Sequence, residues 1–353
     1  MALEIPVVWS DACLAHDGVA GTWIGVALEG DEVPERADRI REALVAAGAR
    51  VVQAKPHDDT TLLLVHDPGL VAFLREAYPR WVEAGYPDDP GQPRVVGYLF
   101  PTEGLLSGLA PFEPASPAAR TGMWAYDTLT PIGAGTWTAA RAAVDCALTA
   151  ADLVSAGAPV AYACTRPPGH HVTRSAYGGS CYLNNAAVAA ERLREQGAAT
   201  VAVLDVDAHH GNGTQAIFWE RPDVRTGSVH VDPRAGWFPH VLGTEVERGA
   251  GPGAGANLNL PLDPGTGDDG WLEAVRALAR FGVDADALVV ALGVDAAVGD
   301  PESPLLVSDD GYREAGRIVA RLGRPTVVVQ EGGYDPDTIG HLVSTFLEGL
   351  AGG

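Results

Sequence analysis

The stretch TVAVLDVDAHHGNG (residues 200–213) indicates both the fold class and the chemistry of the chain. Its first half is a continuous apolar run, which is typical of a strand buried on both faces of a sheet. The run leads directly into Asp205, Asp207, His209 and His210. Side chains two residues apart in an extended chain point the same way, so Asp205, Asp207 and His209 can converge at the strand's carboxyl end. Acids and imidazoles gathered there predict a metal centre, and a solvated polar loop is the alternative.

Helix-like and strand-like segments alternate along the chain. PERADRIREALVAAGA (residues 34–49) predicts a helix opened by Pro34 and closed near Gly48, and NNAAVAAERLREQGA (residues 184–198) predicts another that ends near Gly197. Apolar runs follow helical stretches at residues 201–204, 286–294 and 324–330. The predicted fold class is therefore α/β, a mostly parallel multi-stranded sheet with helices on both faces. We expect residues 1–353 to form one catalytic domain.

Composition limits the partners. The chain has 353 residues, 46% of them hydrophobic, which suffices for a large core, and a formal net charge of −22 at pH 7. A surface with this much negative charge repels nucleic acids and anionic membranes and attracts cationic ligands. The alternative is that the acidity serves solubility alone. The N-terminus reads as a first strand and not as an export signal, and no apolar run reaches membrane-spanning length. Four widely separated cysteines without a CxxC pair suggest a reducing cytoplasm.

A proline-rich segment interrupts the alternation. Residues 79–117 contain eight prolines with scattered glycines, which is too many for regular elements. We expect a loop insertion at about residues 79–136. Long irregular loops of this kind shape a binding site or an interface, or are disordered.

Polar motifs also follow the other predicted strands, at residues 166–171 (RPPGHH), 292–301 (LGVDAAVGDP) and 330–336 (QEGGYDP). The adjacent side chains of His170 and His171 diverge, so they could serve two roles around one substrate, or could be a solvated pair. Asp295 would complete a set of two carboxylates and one imidazole with Asp207 and His209, or could cap a turn. Two glycines before Tyr334 would let it approach a site closely, although such a tyrosine is usually packing.

Together these motifs carry a family resemblance. RPPGHH, YGGSCYLNNAAVAA, VLDVDAHHGNGTQ, FPHVLGT, LGVDAAVGDP and EGGYDPDTIG occur in the order and spacing of the zinc-dependent deacetylase superfamily. That superfamily holds the histone deacetylases and the bacterial acetylpolyamine amidohydrolases. The chain resembles it from about Pro34 to the C-terminus and is most similar to the amidohydrolase branch. The resemblance implies the arginase-deacetylase fold.

The resemblance also implies a catalytic arrangement. Asp207, His209 and Asp295 would bind a Zn²⁺ ion, and the same three ligands could also bind Fe²⁺. A water on the open metal position would attack the substrate amide, with His171 as its general base. His170 would assist charge stabilisation and protonation of the leaving group, and Tyr334 would donate a hydrogen bond to the developing oxyanion.

Neighbouring residues would tune these groups. By the same resemblance Asp205 orients His170 and Asn212 orients His171. Because a neutral amide raises the pKa of a base less than a carboxylate does, we expect His171 to be a free base at neutral pH, with a pKa near that of an ordinary histidine. The family's structural K⁺ site would use the hydroxyl of Ser228 and the backbone oxygens of Asp205, Asp207, His209 and Val229.

Substrate choice depends on fewer residues. Glu302 stands seven residues after Asp295, where a vertebrate polyamine deacetylase of this superfamily has a gatekeeper glutamate that selects cationic substrates; a surface glutamate is the alternative. Phe238 matches one aromatic wall of the family's tunnel. Ser180, beside Gly179, stands where the other aromatic residue is expected, so one wall should be lower or wider. The acid that bacterial acetylpolyamine enzymes carry in the long loop has no clear match near residues 120–122.

The expected substrate is a small cationic acylated amine, most similar to an acetylated polyamine. We also expect a homodimer, built through the proline-rich loop and anchored by Trp124 and Trp137, unless those residues pack in the core.

Two other enzymes and one binding protein are alternatives. The first is a deacetylase of protein Nε-acetyl-lysine. An arginase-type ureohydrolase needs a second aspartate two residues after Asp295, where this chain has Ala297. A non-enzymatic small-molecule sensor would be expected to have lost a metal ligand or Tyr334, and neither is lost.

Overall fold

A computed structural model describes residues 3–18 and 21–353 of the chain. Its strands are β1 (Pro6–Trp9), β2 (Thr22–Trp23), β3 (Val26–Ala27), β4 (Arg50–Gln53), β5 (Val160–Ala163), β6 (Val201–Asp205), β7 (Val224–Val231), β8 (Asn257–Leu262), β9 (Ala287–Leu292) and β10 (Thr326–Gln330). The two short strands β2 and β3 form an antiparallel hairpin of their own. The other eight form one sheet in the order β4-β1-β5-β10-β9-β6-β7-β8.

Helices connect these strands. They are α1 (Glu35–Ala46), α2 (Thr60–Val65), α3 (Pro68–Glu83), α4 (Glu103–Leu106), α5 (Pro117–Thr121), α6 (Thr136–Ser155), α7 (Asn185–Glu195), α8 (Asn212–Phe218), α9 (Asp268–Gly282), α10 (Asp309–Ala320) and α11 (Ile339–Ala351). Among the described residues, none of these helices has the length and apolarity needed to cross a bilayer.

Neighbouring strands of the large sheet run parallel throughout. Alternate residues of the strands belong to two separate hydrophobic clusters: Val201 and Val203 lie in one, and Ala202 and Leu204 in the other. The sheet is therefore buried on both faces, which is why its central strands read as unbroken apolar runs. The predicted α/β class is confirmed.

Local signals place the helix ends. Asn184 caps α7 by accepting a hydrogen bond from the amide of Ala187 at 2.9 Å, and Gly197 beyond its last turn has φ of 108°. Gly48 has φ of 87° just after α1. Both glycines adopt the left-handed conformation that a residue with a side chain disfavours, so the two helices end near the positions that the sequence predicted.

The proline-rich segment begins later than predicted. Pro79 lies inside α3, which continues to Glu83. A proline there costs one helical hydrogen bond, but Ala77 and Trp81 on either side of it are 4% and 2% exposed, and their burial offsets that loss. Only the short helices α4 and α5 interrupt the irregular chain between α3 and α6.

The sheet order sets up the site. Strands β5, β10, β9 and β6 are consecutive neighbours, and each of the four polar motifs follows one of them. Because parallel strands end at the same edge of a sheet, the four motifs meet there.

Candidate active site

The predicted metal ligands converge. One donor atom from each of Asp207, His209 and Asp295 lies within 4.8 Å of the other two. The Nδ1 atom of His209 is 3.2 Å from Oδ1 of Asp207 and 3.0 Å from Oδ2 of Asp295. Both carboxylates are fully buried, so they need a compensating cation. Two carboxylates and one imidazole suit a divalent metal such as Zn²⁺ and leave positions open for water or substrate.

Backbone groups hold the two carboxylates. The amide of Gly332 donates to Oδ2 of Asp207 at 2.7 Å, and the amide of Ala208 donates to Oδ1 of Asp295 at 2.8 Å. A Cβ atom at Gly332 would lie 2.4 Å from Oδ2 of Asp295 and 2.5 Å from Oδ2 of Asp207. The Gly-Gly turn after β10 therefore brings backbone against the predicted metal ligands at a distance that only glycine permits.

The two adjacent histidines have different partners. Nδ1 of His170 lies 2.9 Å from Oδ2 of Asp205, and Nδ1 of His171 lies 2.7 Å from Oδ1 of Asn212. Their rings are stacked at a tilt, with centroids 4.0 Å apart. The predicted pairings, one with a carboxylate and one with an amide, are thus present in the structure.

These partners move the two pKa values apart. Burial alone would lower the pKa of His170, but Asp207 and Asp205 outweigh it and raise that pKa to about 10. Burial lowers the pKa of His171 well below the usual value, and the charges of His170 and His209 lower it further. The expectation that His171 is a free base at neutral pH agrees with this direction. The expected pKa near that of an ordinary histidine does not, because complete burial and two neighbouring imidazoles lower it. At neutral pH, His170 is charged and His171 is neutral.

A buried glutamate whose role was not predicted from the sequence supports the turn that carries His170 and His171. Glu331 follows β10, and its Oε2 accepts hydrogen bonds from the amides of Gly169 and His170 at 2.6 and 3.1 Å. Burial raises the pKa of Glu331 to about 7. The position of Glu331 in the motif QEGGYDP was the only sequence signal for it. Its hydrogen-bond donor Gly169 lies 162 residues away along the chain, so the contact could not be predicted locally.

Tyr334 is held by two neighbours. Its amide donates to Oδ2 of Asp300 at 2.8 Å, and the guanidinium of Arg36 lies 4.6 Å from its ring centroid. Arg36 also donates to the backbone oxygens of Glu331 and Gly333 at 2.7 and 2.5 Å. Burial raises the pKa of Tyr334, so its phenol stays protonated at neutral pH.

The site opens into a cavity of about 170 Å³. His171, His209 and Tyr334 line it together with the four residues predicted to bind substrate, which are Gly179, Ser180, Phe238 and Glu302. The ring of Phe238 meets that of His171 edge-on, with centroids 4.8 Å apart. Gly179 has φ of 60°, and a Cβ atom there would lie 2.5 Å from the His171 ring, so this wall also requires glycine.

Further acids line the same cavity. Glu29, Asp31 and Glu32 come from the loop that precedes α1. These three acids were not predicted from the sequence, although the acidic run LEGDE (residues 28–32) was a visible signal. No lysine or arginine lines the cavity among residues 3–18 and 21–353.

Two further residues discussed from the sequence, Ser228 and His210, lie close to the predicted metal ligands but have different surroundings. Ser228 is the register partner of Asp205 across β6 and β7, beside the loop that carries the predicted ligands Asp207 and His209. His210 turns away from the ligands: its Nε2 contacts Gln215 and Asn259 at 3.1 and 3.2 Å.

The two predicted dimer anchors are half-buried and pack against the core. Trp124 stacks on Phe73 with centroids 6.4 Å apart, and the guanidinium of Arg75 lies 5.0 Å from the ring centroid of Trp137. The most exposed apolar side chains of the proline-rich segment are instead Tyr98, Leu109 and Phe112, at 71%, 75% and 84%.

Comparison with known proteins gives consistent matches. The histone deacetylase domain model matches residues 31–350. The acetylpolyamine amidohydrolase of Mycoplana ramosa is 42% identical over 326 residues, or 91% of this chain and 92% of that protein. Acetylpolyamine amidohydrolase 1 of Pseudomonas aeruginosa is 40% identical over 348 residues, or 98% of each chain. The crystal structure of acetylpolyamine aminohydrolase from Burkholderia pseudomallei superposes with a TM-score of 0.91 at 38% identity, covering 99% of both chains. This likeness agrees with the predicted arginase-deacetylase fold.

Proposed function

The chain belongs to the histone deacetylase domain family, and we propose that it is a metal-dependent amidohydrolase that removes an acetyl or other short acyl group from an acylated polyamine. Relatives named acetylpolyamine amidohydrolase align over nearly the whole length. The observation that carries the proposal is one cavity with two ends. Its base holds the ligand set, a neutral histidine and a protonated tyrosine, and its mouth is acidic.

The proposed metal is Zn²⁺ on Asp207, His209 and Asp295, and Fe²⁺ suits the same donors. When bound, it would polarise the amide carbonyl and lower the pKa of a coordinated water. We also assign K⁺ to the backbone oxygens of Asp205, Asp207, His209 and Val229 with the hydroxyl of Ser228, since the register pairs Ser228 with Asp205.

His171 is the proposed general base. The Oδ1 atom of Asn212 can only accept, so Nδ1 of His171 must donate its proton to it. This fixes the tautomer and leaves the lone pair of Nε2 free to take a proton from the attacking water. The low pKa of His171 keeps that atom unprotonated at neutral pH.

His170 and Tyr334 complete the proposed mechanism. His170 donates Nδ1–H to Asp205 and, being charged, can stabilise negative charge and give a proton to the leaving amine. The protonated phenol of Tyr334 donates a hydrogen bond to the developing oxyanion, a contribution that is typically worth a few kcal/mol.

Glu302 is the proposed contact for the substrate's ammonium group. Its backbone is held at both ends, because its amide donates to Oδ1 of Asp300 at 3.0 Å and its carbonyl accepts from Nε1 of Trp237 at 3.1 Å. A carboxylate fixed at the cavity mouth attracts a cation and gains nothing from a neutral chain.

We further propose one catalytic domain over residues 1–353 and a homodimer. The sheet that carries the site draws strands from Pro6 to Gln330, which supports the single domain. The exposed apolar side chains of Tyr98, Leu109 and Phe112 on the proline-rich segment support a contact between two copies there.

Relative rates on two substrates test the function. The zinc-loaded enzyme should hydrolyse N-acetylputrescine with a kcat/KM at least tenfold above that for an acetyl-lysine peptide. Glu302→Leu should reduce that ratio, because the charge at the mouth is lost while the wall remains. A preference of the wild-type enzyme for the peptide would instead support the protein deacetylase, and an unchanged ratio in the variant would remove Glu302 from the proposal.

A further inference from the structure

We propose that Asp31 is a second specificity-determining residue, which holds the substrate's ammonium group jointly with Glu302; this inference rests on the proposed function. Asp31 lies in the loop ahead of α1 and Glu302 in the loop after β9, so nothing in the sequence pairs them. Both side chains line the active-site cavity.

The two carboxyl groups share one small cavity. Asp31 and Glu302 are exposed residues that both line its volume of about 170 Å³, and no lysine or arginine lines it within the described part of the chain. Two carboxylates that face one small space attract a cation more strongly than either does alone. Burial and the nearby Asp31 also raise the pKa of Glu302, which is consistent with this proximity.

The protein itself supplies no such cation. Among the described residues, neither Asp31 nor Glu302 has a lysine, arginine or histidine nitrogen within 4.0 Å. Glu32 differs, because Arg36 and Arg166 approach its Oε1 at 2.8 and 2.7 Å. The Asp31 and Glu302 pair is therefore free to bind a cation that belongs to a ligand.

A third acid borders the same cavity. Glu32 also lines it, but its Oε2 is buried and lies 3.7 Å from Nε2 of His16, and Arg36 and Arg166 pair with its other oxygen. Glu32 is therefore compensated by the protein itself, which leaves Asp31 and Glu302 as the pair open to a ligand. An ammonium group has several N–H donors and no acceptor, which matches the oxygens of these two carboxylates.

The pair is also held at a fixed distance from the chemistry. Asp300 accepts the amide of Glu302 at 3.0 Å with one carboxylate oxygen and the amide of Tyr334 at 2.8 Å with the other. Cation binding at Glu302 and oxyanion stabilisation at Tyr334 are thus tied through one side chain. The arrangement selects acylated amines whose ammonium lies at a set distance from the amide.

The test uses the zinc-loaded enzyme and two substrates of equal length. N-acetylputrescine carries an ammonium group, and N-pentylacetamide has a methyl group in its place. We expect Asp31→Asn to lower kcat/KM for N-acetylputrescine about tenfold through KM, with kcat and the rate on N-pentylacetamide within twofold of wild type. Because one ammonium is held by both groups, Asp31→Asn with Glu302→Gln should lose less than the product of the two single losses.

Asp284→Asn is the matched control. It removes one exposed acid just ahead of β9, at the opposite edge of the sheet from the site, and should leave both rates unchanged. Equal losses on both substrates in Asp31→Asn, or no loss on either, would overturn the proposal. Failure of the proposed function would appear separately, as a wild-type enzyme that does not hydrolyse N-acetylputrescine.

Discussion

A methyl group at Gly332 should expel the metal. The Cβ atom of Gly332→Ala would lie 2.4 Å from Oδ2 of Asp295 and 2.5 Å from Oδ2 of Asp207. Ordinary van der Waals contact begins at 3.4 Å, so the two oxygens, the backbone, or both must move by a total of 1.0 and 0.9 Å. The backbone at Gly332 is not left-handed, so the side chain is excluded by the ligands and not by the main chain.

The size of the effect follows from that displacement. Metal-ligand distances tolerate changes of only about 0.2 Å, several times less than the required movement. Keeping the ligands in place instead costs about 1–3 kcal/mol of overpacking strain, which would lower the stability of the folded protein. Displacement of the ligands should lower zinc affinity about 100-fold, equivalent to about 2.8 kcal/mol at 1.4 kcal/mol per tenfold.

Competition with a zinc chelator measures that affinity directly, and melting of the metal-free protein shows whether the variant still folds. Gly104→Ala is the matched control, because its Cβ atom would meet only Oγ1 of Thr102, at 4.0 Å. A Gly332→Ala enzyme that binds zinc as tightly as Gly104→Ala would refute the assignment of Asp207 and Asp295 as ligands held against this turn.

Other predictions concern titrating groups. Burial lowers the pKa of His171, so kcat/KM of the wild-type enzyme should stay flat from pH 8 to 6.5 and fall only below pH 6.5. In Asn212→Asp a carboxylate replaces the amide and raises the pKa of His171, so the acid-side fall in kcat/KM should move upward by about one to three pH units. If the acid side of the kcat/KM profile does not move in Asn212→Asp at constant zinc content, His171 is excluded as the general base. The contact with Asp145 raises the pKa of His57 above 6.5, so its stabilising effect is fully present below pH 6.5 and is lost as pH rises through the raised pKa. The difference in Tm between wild type and His57→Gln should therefore shrink from pH 6 to pH 8.5, and a constant difference would contradict this.

The sheet and the centre of the site could be predicted because their signals are local. An unbroken apolar run such as residues 201–204 indicates a strand buried on both faces, and the polar residues directly after it must lie at the sheet's edge. Asp207 and His209 are two residues apart in one such segment, so their convergence needs no knowledge of the rest of the chain. The pairing of Asp205 with His170 required the family resemblance as well.

Pro79 and His171 illustrate where local reading fails. Proline disfavours a helix, but the burial of Ala77 and Trp81 decides the matter in α3, and that burial depends on tertiary packing. In the same way an amide partner suggested an ordinary pKa for His171. Its actual surroundings, complete burial beside His170 and His209, come from three different segments.

The mouth of the cavity was less predictable from the sequence than its base, because different kinds of structure build the two parts. The base is built at the ends of adjacent parallel strands, whose order and register fix which residues meet. The mouth is built from loops, where Asp31 and Glu302 come together across 271 positions without any strand pairing to bring them into register. An acid missing from the long loop near residues 120–122 therefore says little about charge at the mouth, because an acid from a different loop can occupy the same space. Specificity in this fold must be read from which side chains share a cavity, and the substitutions at Asp31 test whether that reading holds.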